Sequence, residues 1–251
     1  PFNLSLAALS EKARGLKTLF FDQKAQFDWH SEIMFPDSTM QTSYLKDLVT
    51  PVDPTSSHSF LNYLVENHLF YPFLNTRRST ITRKEFEQYC RWVSGRLKDR
   101  LNFQTEVRGV DFKNDAFEVE TSRGMFKSRH VCVATGLTPK VPECAQPFLG
   151  RRVFHAKSGH MKHLQLEGKS VLIVGGGQTG IEIFRNAFQN RWGRVKDLTL
   201  ISQRKTLEPL DESAFTNDYF TPNYVDAFWN LDSKRKEDIV EDQKLASDGN
   251  T

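Results

Sequence analysis

The run VLIVGGGQTGIE, from Val171 to Glu182, has a residue spacing tied to one kind of chemistry, the binding of phosphate by backbone amides. Gly175, Gly177 and Gly180 fit a G-x-G-x-x-G pattern, with Gly176 inside it. In such a turn the first glycine allows the sharp reversal. The second lets backbone approach a pyrophosphate, and the third lets helix and strand pack closely. The unpaired N–H groups that open the helix, at the positive end of its dipole, complete the anion site. A structural glycine turn is the plain alternative. The apolar strand before it and the amphipathic helix after it favour a dinucleotide site.

Other candidates are weaker one by one. Asp22 ends the apolar run LFFD, where a carboxylate can hold ribose hydroxyls. No glycine turn precedes it, so the chain reads as cut at its front. After LTLI at 198–201 no acidic residue follows; Ser202, Gln203, Arg204 and Lys205 stand there instead. Polar and basic groups at that place suit a 2′-phosphate, and so NADP over NAD. Lys46 lies between Leu45 and Leu48; packing of its stem with the ammonium in solvent is the plain reading. His30 alone reads as a structural histidine. Asn217 and Asn223 mark LDESAFTNDYFTPNYVDAFW as a pocket-lining loop.

The elements that must position these groups follow from pattern. PFNLSLAALSEKA reads as a helix with Leu4, Leu6, Ala8 and Leu9 on one stripe. Residues 27–55 lack periodicity and read as a long functional loop. Ser59 to Leu74 reads as one aromatic-rich helix ending near Pro72. Thr82 and Glu85 form a capping box for a helix whose face is Phe86, Tyr89, Cys90, Val93 and Leu97. FQTEVRGVDF, AFEVETSRGMF and SRHVCVATG read as strands and hairpins, with Cys132 a small core residue. TPKVPECAQP reads as a linker. Beyond it come the buried parallel strand Val171–Val174, a helix over 178–190 and the strand LTLI. Little helical order is expected before Tyr224, and SKRKEDIVEDQKLASDGNT reads as a charged helix and turn. The class is α/β.

With 251 residues, 38% hydrophobic, the chain can bury a core in one or two domains. No apolar run approaches the ~18–20 residues of a membrane span. A net charge of +3 with dispersed basic residues gives no reason to invoke nucleic acid. Cys90, Cys132 and Cys144 are odd in number and lack metal-ligand spacing. Reduced cysteines in a cytoplasmic protein are expected.

The stretches PFNLSLAALS, LFFD, FDWH, MQTSYLKDLV, SFLNYLV, FYPFL, RKEFEQYCRW, GGGQTG, LDESAFTNDYFTPNYV and DQKLASDG run the length of the chain. In that order they resemble the flavin-dependent N-hydroxylating monooxygenases of siderophore biosynthesis. Within these, the lysine ε-amine hydroxylases and the diamine hydroxylases are most alike. The resemblance implies two Rossmann-like dinucleotide-binding domains, for FAD and NADPH, the second inserted in the first. It places a partial FAD domain at 1–142 and a partial NADPH domain at 143–251. It also implies truncation at both ends, to about three-fifths of such an enzyme.

By the same resemblance, Asp22, Trp29, His30 and Gln41 line the FAD site, and Val107 gives a backbone contact to the adenine part. Gly175, Gly176, Gly177, Gln178 and Thr179 cradle NADPH, with Gln203 or Arg204 at its 2′-phosphate. Family members often carry arginine at the place of Gln203. Lys46 and Asn217, with Asp218, Tyr219 and Phe220, bind the substrate, the first two at its amino-acid end. The implied reaction hydroxylates the terminal amine of lysine or of cadaverine or putrescine. It uses NADPH, FAD and molecular oxygen and has no catalytic side chain of its own. A homo-oligomer is common in the family. The alternatives are an inactive nucleotide-binding fragment or another two-domain flavin enzyme. A flavin disulfide reductase lacks support, since the cysteine pair is absent, and Baeyer–Villiger enzymes fit MQTSYLKDLV less well.

Overall fold

The structure is a computed structural model and describes residues 1–203, 206–211 and 213–243. It is a mixed helix and strand protein that divides into two compact units, Pro1–Gln146 and Pro147–Thr251.

In the first unit the core forms around α1 (Phe2–Ser10), α2 (Phe60–Glu66), α3 (Phe70–Asn75) and α4 (Arg83–Arg96). Helix α4 starts as its sequence demands. The Thr82 side chain accepts the Glu85 N–H, and the Glu85 carboxylate accepts the Thr82 N–H. These reciprocal bonds satisfy two orphan donors. The apolar residues at helical spacing, Phe86, Tyr89, Cys90, Val93 and Leu97, are all buried. They meet Leu4, Ala7 and Ala8 of α1 and Phe60, Tyr63 and Leu64 of α2 in one cluster. Each large side chain there contributes about 1.5–3 kcal/mol by burial. Ala7 rather than Leu6 faces this core; Leu6 is exposed, because α1 turns only its Leu4–Ala8 edge inward. Burial raises the Cys90 thiol to about 12, which leaves it protonated and unreactive at neutral pH. Burial likewise raises the Tyr89 phenol, which donates to the His58 carbonyl at 2.7 Å.

The expected single helix over 59–74 is two helices. The chain breaks at Asn67–Leu69, with His68 left-handed at φ 57°. Pro72 is in the first turn of α3, where no intrahelical N–H is needed, so it does not end the helix. Two short strands, β1 (Phe20–Phe21) and β2 (Leu101–Asn102), pair in parallel. A meander follows: β3 (Val107–Lys113), β4 (Ala116–Thr121) and β5 (Gly124–Ser128), all antiparallel. Asn114 and Asp115 both take positive φ in the first hairpin, as a two-residue primed turn requires. SRHVCVATG, expected to be a strand, lies outside every strand except for Ser128, the last residue of β5, and Cys132 is exposed. An apolar run becomes a strand only beside an edge that can take its hydrogen bonds, and among the described residues none does so here.

In the second unit, β6 (Ser170–Val174), α5 (Gln178–Phe188) and β7 (Asp197–Ile201) form a strand–helix–strand unit. The strands are parallel, with Val174 opposite Ile201. They are not buried on both faces. Val171 and Ile173 are half-covered, whereas Leu172 is 58%, Val174 65% and Ile201 51% exposed. Among the described residues no layer covers that second face. Three helices follow: α6 (Ala214–Asp218), α7 (Pro222–Trp229) and α8 (Ser233–Asp242). Helical order therefore begins before Tyr224, against expectation. Ser213 and Thr221 cap α6 and α7, and Pro222 occupies the first turn of α7. The expected turn after α8 lies outside the described residues.

Candidate functional site

Asp22 follows β1 and is exposed. Its N–H donates to the Asn102 carbonyl at 3.1 Å, and its own carbonyl accepts the Thr105 N–H at 3.0 Å. Its Oδ1 takes the Lys24 N–H at 2.9 Å, which closes a tight turn. The parallel strand pair thus fixes the carboxylate, and the same bonds hold the segment that enters β3. Val107, at the start of β3, is exposed beside a bulge that spans Val107 to Gly109. The structure therefore brings Asp22 and the segment leading to Val107 together.

Trp29 packs edge-on against Phe86 of α4 at 5.1 Å and against the His30 ring at 4.5 Å. His30 has φ 54°, an uncommon value away from glycine that marks a held turn. Gln41 is half-buried. Its neighbour Met40 donates its N–H to the Ile81 carbonyl at 2.7 Å, and Thr39 bridges to Thr82. The start of α4 thus anchors both Trp29 and the Gln41 segment. Trp29, His30 and Gln41 offer an indole face, an imidazole and an amide on this held backbone; Asp22 is held by other bonds, to Asn102 and Thr105.

Lys46 is exposed on a corner. Its N–H donates to the Ser43 carbonyl at 2.9 Å. The Tyr44 N–H donates to Ser79, and the Tyr44 ring lies against Phe73 at 5.2 Å. On the other side the Asp47 carboxylate ties down the chain, a role that sequence reasoning missed. The signal was there, since an aspartate three residues before a threonine is a turn former.

In the second unit the glycines of this turn, Gly176, Gly177 and Gly180 among them, are not equivalent. A Cβ at Gly180 would lie 1.9 Å from the Gly175 carbonyl oxygen, so only glycine lets α5 pack on β6. A Cβ at Gly176 would lie 2.1 Å from the Ser202 Oγ. A Cβ at Gly177 would meet nothing within 4 Å. Gly177 is the N-cap of α5 and has no side chain to cap the first-turn N–H groups, and the space beside its Cα is open. Gln178 donates from Nε2 to Glu182 at 3.2 Å, one turn along, and Thr179 follows it in the first turn. This cradle fits a dinucleotide pyrophosphate. The Gly175 N–H donates to the Ile201 carbonyl at 2.8 Å, which sets the end of β7 beside the turn. Gln203, two residues on, is exposed; Arg204 lies outside the described residues.

Asn217 and Asp218 end α6, and both are exposed; Tyr219 is half-buried and Phe220 exposed just after them. Asp211 organises this corner. Its Oδ2 accepts the Thr216 hydroxyl at 2.6 Å and its Oδ1 the Ser213 N–H at 2.9 Å. The Thr216 hydrogen bond above all, then that of Ser213, holds the Asp211 carboxyl below the usual carboxylate range. Lys46 belongs to the first unit, and Asn217 to Phe220 belong to the second. Among the described residues no group of three His, Cys, Asp or Glu could hold a metal, and no helix is long and apolar enough to cross a membrane.

The chain is 41% identical to the L-lysine N6-monooxygenase of Escherichia coli, over all of this chain and 59% of that protein. The crystal structure of the cadaverine monooxygenase of desferrioxamine biosynthesis from Erwinia amylovora, bound to FAD, superposes with a TM-score of 0.87. It is 30% identical, over 99% of this chain and 60% of that one. An ornithine N-hydroxylase from Kutzneria, solved with reduced FAD, NADP+ and L-ornithine, has a TM-score of 0.86 at 28% identity, over 98% and 61% of the two chains. The chain thus spans about three-fifths of the length of these relatives. A sequence model described as L-lysine 6-monooxygenase/L-ornithine 5-monooxygenase matches residues 1–251, and the chain belongs to that family.

Proposed function

We propose that this chain forms the main part of an FAD- and NADPH-dependent monooxygenase that N-hydroxylates the terminal amine of L-lysine in hydroxamate siderophore biosynthesis. The observation that carries the reading is the family match over residues 1–251. The 41% identity to a lysine enzyme supports lysine, with the diamines cadaverine and putrescine as the alternative. The open cradle at Gly177 is the physical counterpart of the nucleotide requirement.

Each residue then has a task. In a two-Rossmann arrangement, the first unit takes FAD. There Asp22 accepts hydrogen bonds from ribose hydroxyls, Val107 offers backbone to the adenine part, and Trp29, His30 and Gln41 line the flavin. In the second unit Gly175, Gly176, Gly177, Gln178 and Thr179 hold the NADPH pyrophosphate on the N-terminus of α5. Gln203 or Arg204 serves its 2′-phosphate. When bound, NADPH supplies hydride, and the flavin it reduces activates molecular oxygen. In the first unit Lys46 pairs with the substrate carboxylate. In the second unit Asn217, Asp218, Tyr219 and Phe220 are the substrate-binding candidates. Fixing the far end of the substrate decides which amine is presented for reaction, which is catalysis by orientation.

The test is hydroxylamine formation by the full-length protein with NADPH, FAD and oxygen, offered lysine, ornithine, cadaverine and putrescine in parallel. Product is expected from lysine. NADPH oxidation yielding peroxide, with no hydroxylamine from any amine, would sink the reading. Lys46→Ala should raise the lysine KM about ten- to hundredfold, the worth of one charge-assisted contact.

A further inference from the structure

The Asp47 carboxylate is half-buried one residue from Lys46, and all its hydrogen bonds go to its own chain. Oδ1 accepts the N–H groups of Val49 at 2.9 Å and Thr50 at 2.6 Å. Oδ2 accepts the Thr50 hydroxyl at 2.8 Å and the Phe60 N–H at 2.6 Å. A carboxylate has about four acceptor sites, so all of them are engaged. Asp47 therefore has no capacity left to receive a substrate ammonium.

Three of these bonds close the turn that follows Lys46. The fourth joins that turn to Phe60, the first residue of α2, where the positive helix end favours a carboxylate. Phe60 is 1% exposed at the centre of the core, so the tether ends on a rigid element. Tyr44 performs the matching task on the other side, through Ser79 and through its ring against Phe60 and Phe73. The Lys46 backbone is thereby fixed from both flanks. A long flexible side chain loses less freedom on binding when its base is already set.

We propose that Asp47 is a positioning residue, which acts on the amine substrate only through Lys46 by tethering the Lys46 corner to α2. This rests on the reading of Lys46 as the anchor for the substrate carboxylate. Asp47→Asn is nearly isosteric but has a single acceptor oxygen. If that oxygen stays on Val49 and Thr50, the amide NH2 faces the Phe60 N–H and the tether to α2 is lost.

The experiment is a double-mutant cycle in the full-length, FAD-loaded enzyme, with lysine KM and kcat measured for Lys46→Ala, Asp47→Asn and the double variant. Asp47→Asn alone should raise KM roughly tenfold, with kcat moving less than KM. In the Lys46→Ala background it should add no more than about twofold. An unchanged KM, or the same multiple with and without Lys46, overturns the proposal and assigns Asp47 to folding alone. If Lys46→Ala itself leaves KM unchanged, the anchor reading fails and takes this one with it. Should Asp47→Asn not retain FAD, Thr50→Val removes one of the four donors and leaves the carboxylate. A rise in KM confined to the Lys46-containing enzyme supports the tether, and an additive rise overturns it.

Discussion

Gly177 and Gly180 stand three residues apart in one turn and answer to different forces. At Gly180 any side chain runs into the Gly175 carbonyl. At Gly177 the backbone has φ −81°, which alanine adopts freely, and the space around it is open. Gly180→Ala should therefore lower the melting temperature of the protein and abolish NADPH-dependent flavin reduction together. Gly177→Ala should leave the melting temperature within about 2 °C and raise the NADPH KM. Thermal melts with stopped-flow reduction separate the two, and equal stability losses would refute the distinction. The spacing of the motif was legible in the sequence; which glycine serves packing was not, because that depends on the height at which α5 crosses β6. Lys46 was legible only as an ambiguity. Its neighbour Asp47 passed unnoticed; the turn it forms with Thr50 was legible, but the Phe60 N–H donor that ties it to α2 is 13 residues away.

At the scale of elements, local chemistry decides what the sequence reveals. The capping box made α4 readable to the residue, and Thr82→Ala should cost about 1 kcal/mol of stability, read by denaturant unfolding. Burial pushes the Glu85 carboxyl up, but hydrogen bonds from Arg78 and Thr82 outweigh it and hold the group below its ordinary 4.5. A depressed carboxyl adds stability above its unfolded value and loses it as pH falls through the folded one. Glu85→Gln, which keeps the box, should flatten the stability profile below pH 4.5 while changing its shape little above. Urea midpoints from pH 3 to 7 check this, and parallel profiles would contradict it. The helix break at His68, the early start of α6 and the missing strand at Cys132 escaped the sequence for one reason. Each depends on a partner elsewhere: a core that α2 and α3 share, an Asp211 side chain, a sheet edge. Periodicity reports a segment's own preference and says nothing of such partners.

At the scale of the whole molecule, the α/β character was readable from the alternation of elements, and the helical core of the first unit from its aromatic spacing. Among the described residues the sheets have two, three and two strands. That has a practical outcome. The face bearing Leu172, Val174 and Ile201 is open in the second unit, and contiguous apolar surface of that kind is adhesive in water. A polypeptide of these 251 residues produced by itself should bind a hydrophobic dye such as anilinonaphthalene sulfonate and elute early and broad from a sizing column. Placing glutamates at positions 172 and 174 of that polypeptide should reduce the dye signal and sharpen the peak.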